Sequence, residues 1–92
     1  MIGRTLAGTY LVERKIALVG SDSEAVEQWP FDPNGPPLPV HTYLIAENGI
    51  THVESLYLDR LANDRVYEFL FIALPLRIRG ATGSQIHPVA IA

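Results

Sequence analysis

His41-Thr-Tyr-Leu-Ile-Ala-Glu-Asn-Gly-Ile-Thr-His-Val-Glu-Ser55 is the stretch around which the chain is organised. His41, Leu44, Ile45 and Asn48 fall at i, i+3, i+4 and i+7, one face of a helix. Asn48-Gly49 makes a helix stop, because glycine accepts the left-handed conformation there. Ile50 to Glu54 then alternates as a strand does, with Ile50, His52 and Glu54 on one side and Thr51 and Val53 on the other. A helix, a glycine bend and a strand in that order bring His41 back towards Glu54. Imidazole and carboxylate are ligand types that borderline divalent metals accept. A plainer reading competes: a histidine at a helix start serves as a cap or a satisfied core group, and a glutamate ending a strand is solvated.

The chain has 92 residues, enough for at most one domain. A chain of this size buries roughly 60–65% of the surface its unfolded form exposes. Yet 48% of the residues are hydrophobic and only 18% are charged, more apolar side chain than a small monomer hides. That composition points to a partner surface or to a piece of something larger. The competing reading is a compact α/β domain with a few exposed aliphatics. Seven basic and ten acidic residues give a net charge of −3 without a basic stripe, so a nucleic-acid partner is not expected. The chain lacks cysteine, which excludes disulfides, thiolate metal sites and a Cys nucleophile. No apolar run reaches the length of a membrane span, and the first residues lack the order of a signal peptide. The expectation is a soluble cytoplasmic protein.

Along the chain, residues 3–14 read as a helix with Leu6 and Tyr10 on one face, weakened by Gly3 and Gly8. Ile16 to Val19 reads as a buried strand, with Asp22 just past its end, the edge where ligands collect in open α/β sheets. Ser21, Asp22 or Ser23 would cap a short helix through Ala25-Val26-Glu27. Capping and a place in a pocket are both open to Asp22. Residues 28–40 hold five prolines, so they form neither helix nor sheet interior. An ordered, extended loop wrapping the body is expected, with Trp29, Phe31, Leu38 and Val40 as apolar anchors that a flexible linker would lack. A helical turn is expected around Asp59-Arg60-Leu61. Val66 to Leu76 is apolar on both faces, the pattern of a central strand buried on two sides, which Pro75 ends, bulges or confines to an edge. Gly80-Ala81-Thr82-Gly83-Ser84 is a tight loop without the lysine of a phosphate-binding loop. Ile86 to Ile91 reads as a final strand restricted by Pro88.

Taken in order, several of these segments resemble the C-terminal part of the cyclase family, which includes kynurenine formamidase (arylformamidase), an enzyme of tryptophan catabolism, and isatin hydrolase. The matching segments are Gly20-Ser21-Asp22, the Pro-rich loop leading to Pro39-Val40-His41, Asn48-Gly49-Ile50 with Glu54, and Phe69 to Leu76. Arg77-Ile78-Arg79-Gly80-Ala81-Thr82-Gly83-Ser84 and Pro88-Val89-Ala90 complete the series. The resemblance runs from about Thr9 to Ile91 and lies in the order and spacing of the segments. It implies an α/β fold, a mixed sheet with packed helices of the swivelling β/β/α kind, of which residues 1–92 form a partial domain.

The resemblance also implies metal-dependent hydrolysis of a formamide, amide or lactam, with zinc or manganese as cofactor and His41 and Glu54 as metal ligands. The remaining ligands in that family lie in an N-terminal motif, His-x-Gly-Thr-His-x-Asp-x-Pro, followed by a catalytic histidine. None of this is in the sequence, whose three histidines are His41, His52 and His87. Family members are also longer, so the chain is expected to be a C-terminal portion: a truncated product, a fragment, or one half that needs another. Relatives form dimers or larger assemblies, which makes a homo-oligomer or a missing N-terminal half the expected partner. Lys15 stands where relatives end a helix with glycine, and Gln85 and His87 depart from the family pattern after Gly83-Ser84. His52 stands where an apolar residue is expected, either as an extra ligand or as a buried or edge imidazole. Ser84 either lines the pocket or satisfies its turn. Two protein ligands are fewer than the three a catalytic zinc usually has, so the chain alone is expected to bind metal weakly and hydrolyse little. The alternative function is a non-catalytic remnant, acting as an oligomerising or small-molecule-binding module.

Overall fold

The computed structural model describes residues 6–92. Its elements in order are helix α1 (Leu6–Glu13), strand β1 (Leu18–Gly20), helix α2 (Pro39–His41) continuing into a π-helical turn (Thr42–Glu47), strand β2 (Thr51–Val53), helix α3 (Asp59–Asn63), and strands β3 (Leu70–Ile72) and β4 (Val89–Ile91). Helices and strands are thus mixed. The strands form two two-stranded ladders rather than one mixed sheet: β1 pairs parallel with β2, and β3 pairs antiparallel with β4. The chain divides into two compact units, Met1–Leu58 and Asp59–Ala92. No helix among the described residues is long and apolar enough to cross a membrane.

The first unit has an interior. Tyr43, Leu44 and Ile50 are buried, and Leu11, Val12, Ile16, Val19 and Val40 pack against them. Helix α1 turns Gly8, Leu11 and Val12 inwards. Leu6 and Tyr10, which share a face in the sequence pattern, are exposed, and Tyr10 carries the Arg14 guanidinium 4.4 Å over its ring. Positions 3–5 of the expected helix lie outside the described residues. Lys15 takes the helix-ending conformation with φ 53°, and its N–H donates to the Val12 carbonyl at 3.0 Å. It therefore does a glycine's task with a side chain attached.

The organising stretch begins its helix at Pro39, two residues earlier than the pattern suggested, and proline at the first position suits a helix start. Gly49, at φ 66°, closes the helical segment. Its N–H donates to the Ile45 carbonyl, and the Ile50 N–H donates to the Leu44 carbonyl. Strand β2 follows directly, with Thr51, His52 and Val53 opposite Leu18, Val19 and Gly20.

Four expectations need correction. The strand expected to be buried at Ile16 to Val19 is β1, shifted towards Gly20, and Leu18 is exposed, because β1 has one ladder partner. Residues 25–27 form no helix. The Ser21 and Ser23 hydroxyls bond each other, Ser23 donates to the Ala25 carbonyl, and the Val26 N–H is drawn to Glu54, so local side-chain bonds outcompete a helical turn. In the loop 28–40, Val40 packs on the core, whereas Trp29, Phe31 and Leu38 are exposed. Trp29 and Phe31 meet edge-to-face at 4.9 Å instead, and an Asx turn at Asp32 shapes the loop tip.

The fourth correction is the central strand at Val66 to Leu76. Only Leu70–Ile72 is paired, with one neighbour, and Leu70 and Leu74 are exposed. A strand buried on two sides needs layers on both faces, and three paired residues in a two-stranded ribbon supply none. The helical turn at Asp59 is α3, ended by Arg65 at φ 53° with the Val66 N–H reaching the Leu61 carbonyl, a Schellman closure. The final strand, β4, starts just after Pro88, whose missing N–H is consistent with that boundary.

Candidate metal centre

Helix α2 starts with a residue that has no N–H, so Val40 and His41 offer the first free donors. Glu27 meets both. Its Oε2 accepts from the Val40 N–H at 3.2 Å, and its Oε1 accepts from the His41 N–H at 2.8 Å. The same Oε1 lies 2.8 Å from His41 Nδ1, and the Glu27 side chain is only 2% exposed. A carboxylate only accepts, so this contact needs a proton on Nδ1 and holds the ring with Nε2 facing away from Glu27; the equally short contact of Nε2 with the Glu54 carboxylate needs a proton there in turn, whose place a cation would take. Leu38, just before Pro39, sits at φ 46°. A left-handed non-glycine costs about 1–3 kcal/mol and persists where neighbours over-determine it; the grip of Glu27 on the next two amides does so.

His41 Nε2 faces Glu54, 2.8 Å from its Oε1. Glu54 directly follows β2, and its placement comes from the β1–β2 register plus a clasp from residues 21–26. The Val26 N–H donates to Glu54 Oε1 at 3.1 Å, the Ser55 N–H to the Ser23 carbonyl at 2.8 Å, and the Leu56 N–H to the Ser21 carbonyl at 2.9 Å. Ser55 turns the chain away at φ 55°.

His52 lies in the middle of β2, opposite Val19. Its side chain is 4% exposed, and Nδ1 is 3.9 Å from Glu54 Oε1. Its ring centroid is 4.7 Å from that of His41. Both of its ring nitrogens are buried without a hydrogen-bond partner among the described residues. Burial, and then the neighbouring His41, hold the His52 imidazole below its ordinary pKa of 6.5, against the opposing pull of Glu54 and Glu27. It is therefore neutral at neutral pH, with a lone pair free. One donor atom from each of His41, His52 and Glu54 lies within 4.8 Å of the others.

Two imidazole nitrogens and a carboxylate oxygen are a donor set that zinc, manganese or iron accepts. The buried, unpartnered nitrogens of His52 are a second feature that suits a bound cation. A cleft of about 440 Å³ opens beside Glu27, bordered by Phe31, Asp32 and residues 36–38, within the size range of small-molecule sites.

Of the residues singled out from sequence, His41, Glu54 and His52 come together. Asp22 is exposed, and the cap expected of it has no helix to serve. Ser84 belongs to the second unit. Its hydroxyl accepts from the Leu76 N–H at 3.0 Å and donates to the Gln85 carbonyl at 3.2 Å, so it serves its own loop. It also borders a shallow hollow with Pro75, Leu76 and Thr82. Sequence reasoning missed Glu27. The available signal was an acidic residue just before a proline-rich loop that returns to His41. Comparison with protein families, curated proteins and solved structures finds no match to the chain.

Proposed function

We propose that the chain is the metal-binding C-terminal part of a cyclase-type amidohydrolase, with the swivelling β/β/α architecture of that family, in which His41 and Glu54 hold zinc or manganese. The observation that carries this reading is the 2.8 Å approach of His41 Nε2 to Glu54 Oε1, with the buried Glu27 carboxylate fixing the imidazole from behind. A carboxylate behind a ligating histidine sets the tautomer and raises the basicity of the ligating nitrogen.

His41 and Glu54 would hold a divalent ion, which when bound would supply an acidified water and a polarised carbonyl, the chemistry of amide, formamide or lactam hydrolysis. The chain's own residues have narrower tasks. Glu27 holds a proton at His41 Nδ1 and keeps Nε2 pointed at Glu54. Glu54 takes an amide hydrogen bond from Val26, which fixes the direction of its other lone pairs. The proton shuttle to the leaving amine belongs to the motif that these residues do not include, so turnover by the chain alone is expected to be slight.

Equilibrium dialysis against zinc and manganese tests the reading. The wild-type chain retains metal, and His41→Ala or Glu54→Ala loses it while remaining folded. Retention unchanged in both variants overturns the reading.

A companion reading, that the chain works within an assembly, is favoured by apolar side chains left in the open. Tyr67, Leu70 and Leu74 are 80%, 60% and 76% exposed. Sedimentation should then show a species heavier than one chain, or association with a polypeptide bearing the His-rich motif. A monomer indifferent to that polypeptide contradicts it.

A further inference from the structure

We infer that His52 is a third protein ligand of the same ion, so that this chain by itself carries a site of two imidazoles and one carboxylate. The inference rests on the reading that His41 and Glu54 hold a metal, and it goes beyond it. The resemblance assigns only those two residues as ligands and leads one to expect an apolar side chain at position 52.

The position explains why an imidazole there is unusual. Val53, the next residue along the strand, and Ile50, just before the strand begins, are buried aliphatics, and an aliphatic at 52 would fill the place without leaving a polar atom unsatisfied. His52 instead leaves both ring nitrogens buried and unpartnered among the described residues. An orphaned buried polar group of this kind is destabilising, because it has given up water and gained no partner. A cation between His52, His41 and Glu54 removes that cost at one nitrogen, and the three donor atoms already lie within 4.8 Å of one another. Three protein ligands with an open position is also the usual complement of a catalytic zinc. With His52 counted, the expectation of weak binding by the isolated chain reverses: it takes up zinc stoichiometrically.

The test is a zinc titration of the full chain, wild type and His52→Phe, with imidazole ¹⁵N spectra of the wild type recorded alongside. The expected result is stoichiometric binding by the wild type, a loss of affinity of about tenfold or more in His52→Phe, and a shift of one His52 ring nitrogen on zinc addition. Equal affinity in His52→Phe, with the His52 resonances unmoved, overturns the third ligand and leaves His41 and Glu54 standing. No binding by the wild type overturns the underlying metal reading as well. If the phenylalanine variant does not fold, the wild-type spectra decide alone: unshifted His52 nitrogens under bound zinc refute the inference.

Discussion

In the unit that ends at Leu58, Tyr43, Leu44 and Ile50 are buried beneath aliphatics from α1, β1 and the start of α2. In the unit that begins at Asp59, Leu70, Leu74 and Leu76 are 60%, 76% and 59% exposed, although their segment is the most apolar in the sequence. The two regions differ in what covers their side chains, not in composition. An apolar run states that a residue suits an interior and leaves open which atoms will provide it. The contrast also bears on chemistry. A carboxylate 2% exposed and an imidazole 4% exposed need a surrounding interior, and the polar cluster is found in the unit that has one.

The largest effect that sharpens this contrast is in the core. Leu44 is fully buried, and Leu44→Ala should lower stability by about 2–5 kcal/mol, whereas Leu74→Ala should change it by less than about 0.5 kcal/mol. Denaturant midpoints for the two variants check this, and equal losses would break the contrast. Next comes Glu27→Gln, which keeps the shape but makes one of the two buried acceptor oxygens an amide. Metal affinity should fall about 10- to 100-fold, the usual cost of losing the carboxylate behind a ligating histidine. An unchanged binding isotherm would show that Glu27 only caps α2.

Smaller again are the two helix ends. Lys15→Gly and Arg65→Gly should each stabilise the protein by about 0.5–1 kcal/mol, because each removes a left-handed side-chain clash, less the entropy glycine adds to the unfolded chain. Thermal melts of the two variants read this directly. The gentlest effect is a pH slope in metal-free protein. Unfolding frees His52 to take up a proton near 6.5, while the folded state resists because its pKa is lowered. The stability contribution is therefore full above about 6.5 and is lost as pH falls towards the folded value. His52→Phe should flatten that part of the stability–pH curve, and an unaltered curve would show that His52 is not held neutral.

How much of this was legible in the sequence depended on distance along the chain. The helix, the Asn48-Gly49 stop and the return of Glu54 towards His41 follow from periods and turn residues a few positions apart. Glu27 was invisible because the amides it accepts from lie 13 and 14 residues away across a proline-rich loop, and a pattern search has no term for that. Lys15 stands out in the sequence as a departure from the family pattern, but its left-handed backbone is masked by a side chain that disfavours it. The helix expected at residues 25–27 failed for the opposite reason. Serine hydroxyls that looked like caps bonded each other and the chain, and Val26 turned to Glu54. The long strand at 66–76 shrank to Leu70–Ile72 because sheet neighbours, which sequence alone does not count, amount to one.

The most direct test is a crystal of the chain soaked in zinc and measured on the high-energy side of the zinc absorption edge. An anomalous peak between His41 Nε2 and Glu54 Oε1 is the predicted result. Zinc bound elsewhere, with the 2.8 Å contact between those two atoms intact, would contradict it.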